Sequence, residues 1–255
     1  MKKPNSRRNN SGQVLIITSL LVALLLLSTI IFVMETEKEV PTIKTGENDP
    51  FMNYQQTEKN TLISALSNIT DGGNANILKS DLDALNAAIT SGSYLSMLQM
   101  NYTPLNATPY QNGIMILWNN SQGISSASVS FSINSSGLSS TSSVQSTTNV
   151  TSEINVTGNN TRIDDSLREV NLTLNLLNEN KPALAQNFTF GFENKNSSWV
   201  NVDSPNITDL HNGTYTVTFN IETAQTNNPI YVQTFCQDLR GIVIGANVTC
   251  GNVSP

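Results

Sequence analysis

Charge is scarce in this chain, and side chains able to carry chemistry are scarcer. Only 13% of the 255 residues are charged, and His211 is the one histidine. A nucleophilic triad needs a base to take up a proton, and His211, set between Leu210 and Asn212 in an expected surface turn, is the sole imidazole available. The two cysteines, Cys236 and Cys250, are too few for a disulfide-built scaffold, and with one histidine they cannot complete a zinc site. The sequence contains no phosphate loop, no G-x-S-x-G elbow and no D-x-[DN]-x-[DN]-G calcium loop. Of the paired carboxylates, Asp81-x-Asp83 reads as a helix face and Asp164-Asp165 as an interdomain linker. The reading is a non-enzyme with no catalytic, cofactor or metal site.

Positive charge is confined as well. Lys2, Lys3, Arg7 and Arg8 precede the first apolar run, and every acidic residue follows it. After that run 9 basic residues face 19 acidic ones, a balance of about −10, which is the wrong sign for neutralising phosphates and excludes a nucleic-acid partner. What is abundant is Asn, Ser and Thr, so the polar surface is built from amides and hydroxyls.

Val14 to Met34 is an unbroken run of apolar and small hydroxyl residues. About 21 residues rising about 1.5 Å each match the roughly 30 Å hydrocarbon core of a bilayer. The basic residues before it and Glu35, Glu37 and Glu39 after it predict a cytoplasmic N-terminus and an extracellular C-terminal region. The expected organisation is a basic segment over 1–12, a transmembrane helix over 13–34 in contact with the lipid bilayer, and a stalk over 35–53 broken by Pro41, Gly46 and Pro50. The order of basic residues, Gly12-Gln13 and an apolar helix resembles the signal of type IV pilin-like proteins of the archaeal type. That resemblance covers about the first 35 residues and implies cleavage between Gly12 and Gln13, with surface or filament proteins as partners. It departs from the pattern in two places: Asn9-Asn10-Ser11 separates the basic pair from Gly12, and Ile17 stands where many pilins carry Glu.

Residues 54–160 read as an α+β region, a helix pair on a small antiparallel sheet. Leu62, Leu66 and Ile69, then Leu78, Leu82, Leu85 and Ile89, recur at helical spacing on either side of Asp71-Gly72-Gly73. Leu95, Leu98 and Met100 extend the helical pattern, and after Pro109 the period becomes two: Ile114, Ile116 and Trp118; Val129, Phe131 and Ile133; Val150, Ile154 and Val156. The Ser-rich 135–146 segment reads as loop.

Residues 161–255 alternate throughout. Val170 to Leu176, Phe188 to Phe192, Trp199 to Val202, Tyr215 to Ile221, Ile230 with Val232, and Ile242 to Val248 predict six or seven short strands, the count of an all-β Ig-like sandwich. Val170–Phe190, with Asn178-Glu179-Asn180-Lys181-Pro182-Ala183 between two alternating strands, resembles the first hairpin-like unit of bacterial Ig-like surface domains, and Asp209-Leu210-His211-Asn212-Gly213-Thr214-Tyr215-Thr216-Val217 resembles the D-x-x-[DN]-G-x-Y-x-V turn and strand of those domains and of filamin-type repeats. The family supplies spacers, adhesive tips and assembly units, so it implies a fold and no ligand. In the turn, Asn212-Gly213 suits positive φ, and Tyr215 can bury its ring while its hydroxyl reaches backbone.

Two further features are written in the residues. If 230–236 and 242–249 form a hairpin about Asp238–Gly241, Cys236 and Cys250 lie roughly 20 Å apart at about 3.3 Å per residue, far beyond disulfide reach. If the two strands lie in different sheets a bridge can form, and an extracellular setting favours the bridge. Fifteen Asn-x-Ser/Thr triplets beyond residue 35 are candidate N-glycosylation sites: Asn68, Asn101, Asn106, Asn119, Asn134, Asn149, Asn155, Asn159, Asn171, Asn187, Asn196, Asn206, Asn212, Asn247 and Asn252. On strands the same triplets also follow from polar-out, apolar-in alternation. Together these features predict a membrane-anchored extracellular structural or adhesive protein, with a pilin-like subunit as one form. The alternative is a monomeric anchored receptor or ligand-binding module that uses the Ig-like domain.

Overall fold

The computed structural model describes residues 50–91, 97–136, 141–194, 198–222 and 229–253. All but Pro50 belong to one compact unit, Phe51–Pro255. Helix α1 (Pro50–Thr70) starts on a proline, whose fixed φ and missing N–H suit a first helical turn. It ends where Gly72 takes φ +85° and the amides of Asp71 and Gly73 bond back to the carbonyls of Ser67 and Asn68. Helix α2 (Ile77–Ser91) opens behind Asn74, whose side-chain oxygen accepts the amide of Asn76, and it buries Leu78, Leu82, Leu85 and Ile89 along one stripe.

Twelve strands follow: β1 (Met97–Pro104), β2 (Ile114–Leu117), β3 (Gln122–Ser136), β4 (Thr141–Arg162), β5 (Leu167–Asn178), β6 (Lys181–Pro182), β7 (Ala185–Glu193), β8 (Trp199–Asn201), β9 (Asn206–Asp209), β10 (Thr214–Glu222), β11 (Ile230–Asp238) and β12 (Val243–Asn252). They make one mixed sheet with the path β8-β7-β11-β12-β4-β5-β10-β9, and β1 and β2 add to the free edge of β3. The sheet folds over on itself, so that Phe190 of β7 meets Phe219 of β10 and Phe188 meets Tyr215. Between its layers lie the alternating side chains of β5, β10, β11 and β12, including Leu172, Leu174, Val217, Val232 and Ile244. Each apolar side chain taken fully out of water in this way contributes about 1.5–3 kcal/mol before chain entropy is counted.

Strand β4 corrects the expected fold class. The sequence pattern predicts a transmembrane helix, then an α+β region, then a separate Ig-like sandwich with a boundary near residue 161. Instead β4 pairs with β3 over its first two thirds (Ser136↔Thr141 to Gln122↔Asn155) and with β5 over its last half (Ser152↔Asn178 to Arg162↔Arg168). A 22-residue strand thereby fuses the two expected regions into a single 12-stranded sheet. Asp164-Asp165 is accordingly a hairpin turn and not a linker: Asp164 Oδ1 accepts the amides of Ser166 and Leu167, which hold its carboxyl below the usual range. Two local readings change too. Leu98 and Met100 lie on strand β1, and most of the Ser-rich 135–146 segment belongs to β3 and β4.

The expected anchor over 13–34 and the cut at Gly12-Gln13 lie outside the described residues. Among the described residues no helix is long and apolar enough to cross a membrane, so they give the expected single-pass, pilin-like placement no support. Helix α1 is long enough, but it carries Glu58, Lys59 and several amides, and it spends its apolar face, Leu62, Ala65 and Leu66, on the sheet.

Candidate binding surface

The expected disulfide does not form. Cys236 and Cys250 are free, buried thiols on one antiparallel hairpin, with Cys236 opposite Ile244 and Cys250 opposite Ile230, so six register positions separate them. Burial pushes both thiols up to about 12, and for Cys236 the carboxylate of Asp238 adds to the effect. Thiols so protonated are poor nucleophiles. His211 is exposed in the turn before β10 with φ +59°, its amide bonded to Asp209 Oδ1 and its ring 3.3 Å from Asp209 Oδ2. Tyr215 buries its ring and accepts the amide of Ala185 on its hydroxyl at 2.8 Å.

The glycosylation triplets divide by exposure. Asn196 lies outside the described residues, Asn134, Asn171 and Asn247 are half-buried, and the other eleven are exposed. Asn171 and Asn212 are engaged locally: Asn171 Oδ1 accepts from Thr218, and Asn212 Oδ1 accepts the amide of Thr214.

Charge gathers in one place. The β11–β12 turn is fastened to the β4–β5 hairpin by Arg240, which reaches Asp238 (2.8 Å), Glu179 (2.6 Å), the Thr151 carbonyl (3.0 Å) and Ser152 Oγ (2.8 Å). Ser152 also donates to the fully buried Asp238 at 2.6 Å. Every group in this set is turned onto another, which makes it a fastener. Among the described residues no three carboxylate, thiol or imidazole groups converge to hold a metal ion.

The outer face of β8-β7-β11-β12 is of another kind. Strand register puts Asn201, Gly191, Gln233 and Asn247 in one row across the four strands. Two residues along each strand, on the same face, stand Trp199, Glu193, Tyr231 and Thr249. Trp199 is 45% exposed and Tyr231 48%, in a chain whose other large aromatics are mostly packed. Gly191 is buried beneath this row, because the indole reaches over it: Trp199 Cε3 lies 3.8 Å from where a Cβ on Gly191 would stand. Beyond Asn247 the face runs into an amide-lined cleft of about 650 Å³ with Asn119, Asn120, Thr157 and Thr249 on its walls. The cleft marks the place where β3 leaves the edge of β4 at Asn155 and β12 joins it at Asn159. Within it Asn247 Oδ1 is buried and meets no hydrogen-bond donor among the described residues, although the Asn247 amide bonds to the Asn120 carbonyl. A second cleft, of about 520 Å³, opens between the layers over Phe192 and Phe219, with Glu169, Asp203 and Glu222 at its rim.

In the sequence Trp199 marks only a strand, and nothing singles out Tyr231. Neither could be joined to the other without the register, since 32 positions separate them. No known family matches the sequence. No curated protein matches it. Among solved structures, a DUF4785 family protein from Legionella pneumophila aligns over 52% of this chain and 37% of its own length, at 12% identity and a TM-score of 0.30. A likeness that low carries no argument about fold or function.

Proposed function

We propose that this protein is an adhesive structural module, which binds through the outer face of β8-β7-β11-β12 and performs no chemistry of its own. The observation behind this reading is the row of exposed Trp199 and Tyr231 on a sheet whose opposite face is closed core. Leaving large aromatic area in water has a hydrophobic cost that a bound partner removes, and aromatic rings backed by a rigid sheet lose little entropy when they are covered.

A second reading, capture of a small ligand, draws on the cleft over Phe192 and Phe219. Beads coated with the full chain, driven by flow over films of gelatin, mucin and a neutral polysaccharide, separate the two. Retention on at least one film, abolished in a W199A/Y231A double variant with unchanged circular dichroism, is the expected result. Retention that survives the double variant, or is absent from all three films, overturns the adhesive reading.

A further inference from the structure

We propose that the partner of this face is a neutral carbohydrate chain, an inference that rests on the adhesive reading above. The face offers two kinds of group and little else. Trp199 and Tyr231 stand in one row on strands two apart, which places them about 10 Å from each other at about 4.8 Å per strand. Around them are uncharged hydrogen-bonding groups: Asn201, Gln233, Asn247 and Thr249, with Glu193 the single charge in the two rows. A pyranose presents a flat side of C–H bonds and a rim of hydroxyls. The flat side packs on an aromatic ring, and each hydroxyl both donates and accepts, as an amide also can.

Other macromolecules fit less well. A nucleic acid or an anionic polymer needs cations, and these rows hold none. A protein hot spot centres its aromatics in a well-packed, desolvated pocket, whereas both rings here stand on an open sheet face. The amide cleft continues the surface past Asn247 with Asn119, Asn120, Thr157 and Thr249, groups that can meet further sugar hydroxyls. Gly191 is a positioning residue. With no side chain of its own it leaves room for the indole edge, which a Cβ there would already touch, and a residue as large as leucine would push against the ring.

Affinity electrophoresis of the full chain in gels containing hydroxyethyl cellulose, xylan, galactomannan or amylopectin tests this, with heparin as the polyanion control. Retardation by at least one neutral polymer is expected. W199A and Y231A should each weaken it by about tenfold while the melting temperature stays close to wild type, and G191L, which crowds the indole at a buried position, should weaken it too. A W118F variant keeps Trp199 as the only indole, and its emission should shift on titration with an oligosaccharide of the retarding polymer. Retardation by heparin alone, no retardation by any gel, or retardation unchanged in the Trp199 and Tyr231 variants overturns the proposal. Sedimentation showing a dimer that W199A dissolves would assign the face to a second copy and also overturn it. If beads hold to gelatin through this face while no neutral gel retards the chain, the carbohydrate inference fails and the adhesive reading stands.

Discussion

Glu58 sits on helix α1 with 1% of its surface exposed, accepting hydrogen bonds from Thr148 and Ser146 on one oxygen while the other is buried with no donor among the described residues. Desolvation raises its pKa, and the two hydroxyls only partly offset this. Because the folded chain holds this proton more tightly than the unfolded chain, the contribution to stability is full below the ordinary carboxylate value and is lost as pH rises through the folded one. Glu58→Gln, which cannot ionise, should therefore raise the thermal midpoint at pH 8 more than at pH 4; an equal shift at both would refute the assignment. The buried thiols give a second outcome. With both pushed to about 12, iodoacetamide at pH 8 should leave the native protein unmodified, and the urea-unfolded protein should take up two groups without any reductant. Uptake of none when unfolded would mean a bridge. Residues of this kind are hard to read from sequence, since Glu58 among Gln, Thr and Lys has the pattern of a solvated helix face.

At the scale of elements, the alternating strands were legible because Val, Ile, Leu and Phe contrast with Asn, Ser and Thr at period two, as in β5, where Val170, Leu172, Leu174 and Leu176 are all buried. Strand β1 is hard to read because Leu95 and Leu98 stand three apart, a helical interval that continues the helix before it, although Leu98, Met100 and Tyr102 fit period two. The first part of β4 was invisible for a different reason: Ser, Thr and Gln dominate it, and a strand without apolar contrast carries no period to detect. The turn that joins β11 to β12 owes its place to Arg240. Removing one partner of a buried pair leaves the other charge uncompensated, so R240A should destabilise the fold by about 3–5 kcal/mol. R240K should recover only part of this, because an ammonium cannot reach Asp238, Glu179 and the Thr151 carbonyl at once. Denaturant titration measures both, and a loss below about 1 kcal/mol in R240A would show the cluster to be incidental.

For the whole molecule, the shared strand β4 predicts that the two regions separated in the sequence reading melt together. Circular dichroism near 218 nm on the full chain should show the β signal lost in one transition, and two well-separated transitions would contradict a continuous sheet. The binding face belongs to this scale as well. Its members come from four strands whose order is not their order in the chain, so composition could announce an amide-rich surface but could not bring Trp199 beside Tyr231. The location of that surface is the centre of the functional account. Amide and indole chemical-shift mapping on the labelled full chain, titrated with an oligosaccharide of whichever polymer retards it, tests it most directly. Perturbations confined to Gly191, the Trp199 indole, Asn201, Tyr231, Gln233 and Asn247 are expected; perturbations centred on Glu169, Asp203 and Glu222 would contradict this location.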